Sequence, residues 1–237
     1  SKIKDKLLIN FTDNTNSLVD FIIVSDGVFS KTKSIVENKT IKPRYNGSIA
    51  IRSVIKFSEE FNYERKNISL IMFPNAHVVI YPINKKNDFN LVCNAREKLS
   101  QNYDIHSIIR KKILSKNKNL ENLFKSDLNF WPVYVTKKPI KSIYENVFYL
   151  GDAFYTFVPA LAQGASQSIE AAYELFNLLS NNDKNIQNLY FKKRLEKTNK
   201  ISKRSKFNYF GFHISNPLLK ILRNKLLKRL VKNKKFI

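Results

Sequence analysis

Residues Asn146–Phe176, NVFYLGDAFYTFVPALAQGASQSIEAAYELF, decide how the chain is read. Val147–Leu150 is a short apolar run with the length and bulk of a buried strand, and it stops at Gly151-Asp152. A loop containing Pro159 leads to Gln163-Gly164-Ala165, after which Ile169, Ala172, Phe176 and Leu179 recur at helical spacing. Strand, Gly-Asp, loop, small residues and helix, in that order, describe a ligand seat. Small residues let backbone approach a ligand closely, and a helix N-terminus offers unpaired N–H groups carrying partial positive charge. An anion or an electron-rich carbonyl is stabilised there, and the acid at the strand's end can accept hydrogen bonds from a polyol.

Gly151-Asp152-Ala153, Pro159 and the run AQGASQSIEAA (Ala162–Ala172) resemble the second FAD fingerprint of flavoprotein aromatic hydroxylases. That group includes the salicylate hydroxylase-like and ubiquinone-pathway monooxygenases. The family pattern reads GDAAH, a proline, then GQGAxQAIEDA; here Phe154 replaces the usual His, Ala162 a Gly and Ala171 an Asp. Upstream, Phe21–Val24 reads as a strand running into Ser25-Asp26-Gly27 and a helix over Val28–Val36, with Ser30 near its start. The segment VSDGVFSKTKSIV resembles the family's Asp-Gly motif, usually GADGxxSxVR, with Ser25 for Ala and Lys33 for Arg. The lysine keeps the charge but loses the bidentate fork. Between the motifs, YNGSIAIRSVI (Tyr45–Ile55) and PNAHVVIYPINKKNDFNLVCN (Pro74–Asn94) resemble the substrate-domain sheet of salicylate hydroxylase-like members, Tyr81-Pro82 matching a YP found there. Arg52 falls at an arginine often present in that sheet; a surface ion pair is its simpler role.

The resemblance implies an α/β (α+β) chain: part of an FAD/NAD(P)-binding Rossmann-like module, an inserted antiparallel-sheet substrate domain, and C-terminal helices. The expected divisions are residues 1–40 (Asp-Gly motif), 41–135 (sheet), 136–182 (Gly-Asp motif and helix) and 183–237 (basic helices). It further implies a monooxygenase that uses FAD, NADH or NADPH, and O₂ to place one oxygen atom on a small aromatic or quinone-like substrate. The cofactor-binding candidates are Asp26, Gly27, Gly151, Asp152, Pro159, Gly164 and Ala165. Asp152 would hold the ribityl chain, Pro159 would lie near the ring, and the Gly164 and Ala165 amides would meet its pyrimidine edge. Asp26 and Gly27 would border the pyrophosphate and the nicotinamide path. No catalytic acid or base is named. The family's opening GxGxxG, which binds the ADP half of FAD, is absent: the chain has five glycines and none stand at that spacing. The expectation is therefore a nucleotide-binding module supplied in cis or in trans, with this polypeptide alone binding FAD poorly. A non-hydroxylating flavoprotein of the same fold and a basic binding remnant for nucleic acid or membrane are the rival readings.

The remainder of the chain is consistent with a globular protein of 237 residues and 43% hydrophobic content. The lone Cys93 excludes an internal disulfide framework and suits a reducing cytosol. His77, His106 and His213 lie far apart without ligand spacing, so no metal site is expected. Of the net charge of +23, the larger share sits from Lys192 onward, where 16 Lys/Arg face one acid, Glu196. A solvated basic face in a lysine-rich chain is the simpler account of it, and nucleic acid is not the expected partner. Leu7–Phe11, Gly47–Phe57, Ile68–Phe73, His77–Ile83, Phe89–Cys93 and Phe130–Val135 read as strands, with turns at Thr12–Ser17, Pro74-Asn75 and Asn84–Asp88. The aromatics of Phe130–Val135 are either core or pocket lining. Asp104–Leu128 reads as one helix with Ile105, Ile108, Ile109, Ile113, Leu120 and Leu123 on its inner stripe. Asn185–Asn208 reads as a basic helix, and Pro217 opens another with Leu219, Leu222, Leu226 and Leu230 on one face. That last helix either caps the flavin module or contacts a membrane surface peripherally; the expected location is cytoplasmic, with or without membrane association.

Overall fold

The structure, a computed structural model, describes residues 1–56, 67–83, 88–181 and 184–231. Its residues group into two units, Ser1–Arg44 with Tyr134–Lys206, and Tyr45–Val133 with Phe207–Ile237.

In the first unit β1 (Lys2–Ile3), β2 (Lys6–Asn10) and β3 (Asn16–Val19) form an antiparallel meander, with Leu7 opposite Val19 and turned into the core. The expected turn over Thr12–Ser17 is shorter than that. Asn14 takes a left-handed φ of 66° and the Phe11 amide closes onto the Thr15 carbonyl, so the chain is extended again by Asn16. β4 (Ile22–Val24) pairs in parallel with β10 (Val147–Tyr149), Val24 beside Tyr149. The following helix, α1, covers Lys31–Val36 rather than beginning at Val28. Gly27, at φ 86°, breaks the path, and the Ser30 hydroxyl accepts the Lys33 amide at 2.9 Å as the N-cap.

The long helix α3 spans Gly164–Ser180. Its buried face is Gln167, Ala171, Leu175 and Leu178, with the last two leucines packed with Phe148 and Tyr190. Of the residues that recur at helical spacing, Leu179 packs against this cluster while Ile169 is 72% exposed and Phe176 62% exposed. Two apolar stripes run along this helix, and spacing alone does not say which one meets the sheet. The fourth helix, α4, runs over Ile186–Phe212.

The second unit is built on a five-stranded sheet. Its strands are β5 (Arg44–Lys56), β6 (Ser69–Phe73), β7 (Ala76–Pro82), β8 (Asp88–Arg96) and β9 (Asn129–Val135), in the order β6-β7-β8-β5-β9. Each neighbouring pair among β6, β7, β8 and β5 is antiparallel, with Ile51 opposite Cys93 and Val78 opposite Cys93 on the other side. Along β5, Ile49, Ile51 and Ile55 turn inward while Arg52, Val54 and Lys56 turn out, the period-two pattern of a sheet with one packed face. Phe57 and Asn84–Asn87 lie outside the described residues. The inner face is covered by a helical segment that is not the single helix expected. It comprises α2 (Ile105–Ile109, capped by Asp104), a wide π-type turn over Arg110–Leu114 and a tight helical stretch over Lys118–Phe124. The apolar stripe nevertheless faces inward throughout, with Ile105, Ile109, Ile113, Leu120 and Leu123 all buried in one cluster. Arg52 makes no ion pair among the described residues; its guanidinium stacks on Trp131 at 5.1 Å, a cation–π contact. A last helix, α5 (Pro217–Val231), belongs to this unit.

Candidate functional site

All seven candidate residues fall in the first unit, and the parallel pairing of β4 and β10 explains how two of them meet. The Leu150 amide donates to the Val24 carbonyl at 2.9 Å, so both strands finish at one edge and their following loops leave together. Asp26 and Asp152 stand on those two loops, at the same edge of the sheet and both exposed. In an α/β sheet this carboxyl edge is where ligands are held.

The two acids differ in character. Burial pushes the Asp26 carboxyl up, but hydrogen bonds from Ser30 and from the Thr32 amide outweigh it and hold the group below the usual carboxylate range. For Asp152 loss of hydration alone acts, and it raises the carboxyl, although the residue as a whole stays exposed. Asp26 is thus a fixed anion, while Asp152 is an acceptor with its hydrogen-bonding capacity in hand.

The loop after β10 requires its glycine. Gly151 sits at φ 59°, and a Cβ there would lie 2.9 Å from the Ser168 hydroxyl of α3. Among the described residues Gly164 opens α3 with nothing within 4 Å of where a Cβ would be, and no side chain caps the helix, so its first-turn amides are not consumed by a cap. Gly164 and Ala165 are exposed, as is Pro159 earlier on the same loop. An uncapped helix start, a backbone without a side chain over it and two carboxylates at one sheet edge form a donor and acceptor set suited to FAD, whose anionic and polyol portions need both.

Two residues that sequence reasoning missed hold this arrangement. Lys33, only 4% exposed, sends its ammonium to the Ala153 carbonyl at 2.5 Å and so ties the Asp-Gly segment to the Gly-Asp loop. Burial lowers its pKa, and the nearby charges of Asp26 and Glu37 partly offset that. Glu37 in turn accepts from the Tyr149 hydroxyl at 2.5 Å. Arg194 of α4, 2% exposed, donates to the Gln167 carbonyl and amide oxygen and to Glu174, at 3.0–3.2 Å, and clamps the first half of α3. The sequence signal for Lys33 is its place at the family's arginine; Arg194 is hidden in the basic tail count. Two departures from the family pattern are packed as core: Phe154 lies against Tyr190 and Phe191, and Ala171 is buried. The third, Ala162, holds a left-handed φ of 51°.

The three histidines are not all apart in space. His77 Nδ1 and His213 Nε2 are 2.7 Å apart in the second unit. Among the described residues no group of three or more His, Cys, Asp or Glu gathers as for a metal ion.

No family model matches the chain. It is similar to 3-amino-4-hydroxybenzoate 2-monooxygenase of Streptomyces cremeus, 26% identical over 187 residues that cover 74% of this chain and 45% of that enzyme. It is also similar to 3-hydroxybenzoate 6-hydroxylase of Klebsiella oxytoca, 25% identical over 183 residues, or 73% of this chain and 45% of that one. The chain thus spans less than half the length of these curated relatives. Among solved structures, Klebsiella pneumoniae HpxO with FAD and uric acid superposes with a TM-score of 0.81, over 96% of this chain and 61% of that one, at 16% identity. A salicylate hydroxylase in a substrate complex gives 0.79, over 97% and 65%, at 17% identity. The chain is therefore related in sequence to aromatic-ring monooxygenases, and its fold is that of FAD-dependent hydroxylases.

Proposed function

We propose that this chain is the substrate-domain and Gly-Asp portion of an FAD-dependent aromatic monooxygenase. NADH or NADPH is the reductant, O₂ the oxidant, and a small aromatic or quinone-like ring the substrate. The observation that carries this is the shared edge of β4 and β10, where Asp26 and Asp152 stand on adjacent loops beside the uncapped start of α3. FAD, when bound, supplies the redox and oxygen chemistry. The chain's own residues would bind and orient it: Asp152 would accept from the ribityl hydroxyls, and the Gly164 and Ala165 amides would stabilise negative charge on the ring. Asp26 and Gly27 would border the pyrophosphate, and Pro159 would lie near the ring. Fixed dipoles of this kind are worth a few kcal/mol, about 3–4 for one such donor in a dry site.

A strand–helix nucleotide-binding unit completes the fold, in cis or in trans. Among the described residues β4 and β10 form a sheet of two parallel strands, an arrangement that is stable when further strands are added and both faces are covered. Phe21 and Ile23 beside it, and Ile169, Tyr173 and Phe176 along α3, are all exposed; an apolar surface of this kind suits a covering module. Asp152→Ala in the complete protein lowers the FAD retained through purification, read from the flavin absorbance. Unchanged flavin content counts against the assignment. Oxygen incorporation from labelled O₂ into product separates hydroxylation from a reductase or other non-hydroxylating flavoprotein chemistry.

One observation favours an additional role for α5, peripheral contact with an anionic membrane. Leu218, Leu222 and Leu226 follow one another at i, i+4 spacing, all more than half exposed, between Lys220, Arg223, Lys225, Lys228 and Arg229. Leucines of this kind add nothing to nucleic-acid binding but enter a lipid interface, while the cations meet its headgroups. Among the described residues no helix is long and apolar enough to cross a membrane.

A further inference from the structure

In the first unit a cavity of about 240 Å³ lies beside the Gly-Asp loop, and none of the residues that line it is among the flavin-binding candidates. Four separate stretches wall it: Arg44 at the start of β5, Val135–Lys137 at and beyond the end of β9, Tyr155, Thr156 and Val158 of the loop, and Ser202 and Lys206 of α4. Three of these residues are cations and none is an acid. Arg44, Lys137 and Lys206 make no ion pair among the described residues, unlike Lys197 of the same helix as Lys206, which is engaged by Glu170. A concavity lined by charge of one sign focuses the field into its interior and gathers counter-ions.

The walls are already joined to one another. The Thr156 amide donates to the Thr136 hydroxyl at 2.9 Å, the Tyr155 and Ser202 hydroxyls meet at 2.8 Å, and the Ser205 hydroxyl donates to the Val158 carbonyl at 2.5 Å. Val135, Val158 and Ser202 are buried and make its floor, while the three charged residues are exposed and stand at its rim. The hydrogen count is also uneven. Thr136 accepts without spending its own hydroxyl hydrogen, and the Tyr155–Ser202 contact uses one of two. Two O–H donors and three cations thus converge on a space whose lining, among the described residues, offers no carboxylate acceptor. The volume is below the roughly 300–1,000 Å³ typical of sites for drug-sized ligands, which excludes a whole dinucleotide and leaves room for something small.

We infer that this cavity is a binding site for a small oxyanion carrying two negative charges, a phosphate or a short dicarboxylate, held by Arg44, Lys137 and Lys206 with the Thr136 hydroxyl. It is a site separate from the flavin seat and does not depend on that assignment.

Isothermal titration of the purified protein at constant ionic strength, balanced with chloride, tests it. Inorganic phosphate and malonate are the two probes, and the tighter of them identifies which oxyanion chemistry the site takes. Saturable binding with a stoichiometry near one is expected for at least one probe. Arg44→Gln combined with Lys206→Gln weakens it at least tenfold, and Lys193→Gln, an exposed lysine of α4 that does not line the cavity, leaves it unchanged. Lys137→Gln, measured separately, is also expected to weaken binding and decides the matter if the double variant fails to fold. Absence of saturable binding to both probes overturns the inference. So does equal weakening by Lys193→Gln, which would assign the effect to the diffuse charge of the tail.

Discussion

The Lys33 ammonium donates to the Ala153 carbonyl, joining the first motif of the chain to the second from within the protein interior. A buried cation of this kind is tolerated because Asp26 and Glu37 lie near it and the carbonyl accepts from it. Lys33→Met keeps the length and removes the donor, leaving the Ala153 carbonyl without its partner. The expected loss is about 1–3 kcal/mol of stability, read as a lower urea midpoint, together with weaker flavin retention in the complete protein. A variant with wild-type midpoint and flavin content would remove Lys33 from the site's framework.

Ala162 occupies a left-handed conformation at φ 51°, where the related pattern carries glycine. A Cβ in that region costs about 1–2 kcal/mol. Ala162→Gly relieves it, less the chain entropy that a glycine adds to the unfolded state, so a gain of up to about 1 kcal/mol is expected as a rise in Tm. A fall in Tm would mean that the turn ahead of α3 is not strained.

His77 and His213, hydrogen-bonded to each other, make stability depend on pH. Burial lowers the His77 pKa from 6.5 to about 4. Burial, with His77, Arg96 and Lys112 facing it, lowers that of His213 to about 3. Tyr209 and Phe212 pack on the pair. Both folded-state values lie below the unfolded one, so the unfolded chain takes up protons first as pH falls. Stability is full above the unfolded value of 6.5 and declines as pH falls toward 4. Each imidazole contributes a slope of about 1.4 kcal/mol per pH unit in that window. Urea midpoints at pH 7.5 and 5 should differ accordingly, and His213→Gln should flatten the difference. A midpoint constant over that range refutes the pairing.

α5 is tested with vesicles. Sedimentation with vesicles containing anionic lipid should carry the protein down, neutral vesicles should not, and Leu222→Glu with Leu226→Glu should abolish the effect. Retention by neutral vesicles, or indifference to the two glutamates, would leave α5 as a capping helix.

The strand–Gly-Asp–helix order is legible in sequence because each part is local: an apolar run, a glycine that a left-handed turn requires, and small residues ahead of a helix. The sheet is legible for the same reason, through alternation along β5. The face of α3 is not, because Leu175 and Leu178 compete with Ile169 and Phe176 and only the position of Phe148 and Tyr190 decides between them. The break between α2 and the stretch after it is equally hidden, since the inward stripe survives the change in helical pitch. The roles of Arg194 and the histidine pair are not legible at all, and Lys33, though marked by its place at the family's arginine, gives no sign of its partner. Each acquires its role from a partner distant in the chain, and their residue types are common on any basic surface.

The pairing of Ile22 with Val147 has a kinetic meaning. The two strands are contiguous in space but remote along the polypeptide, so the loop between them must close before the edge that carries Asp26 and Asp152 exists. Closure of so long a loop is entropically disfavoured, and topologies dominated by such contacts fold slowly. The second unit, whose neighbouring strands β6, β7 and β8 follow one another directly, is free to form early and shorten the search. Refolding should therefore proceed in two phases, the antiparallel sheet gaining protection from hydrogen exchange before β4 and β10 do.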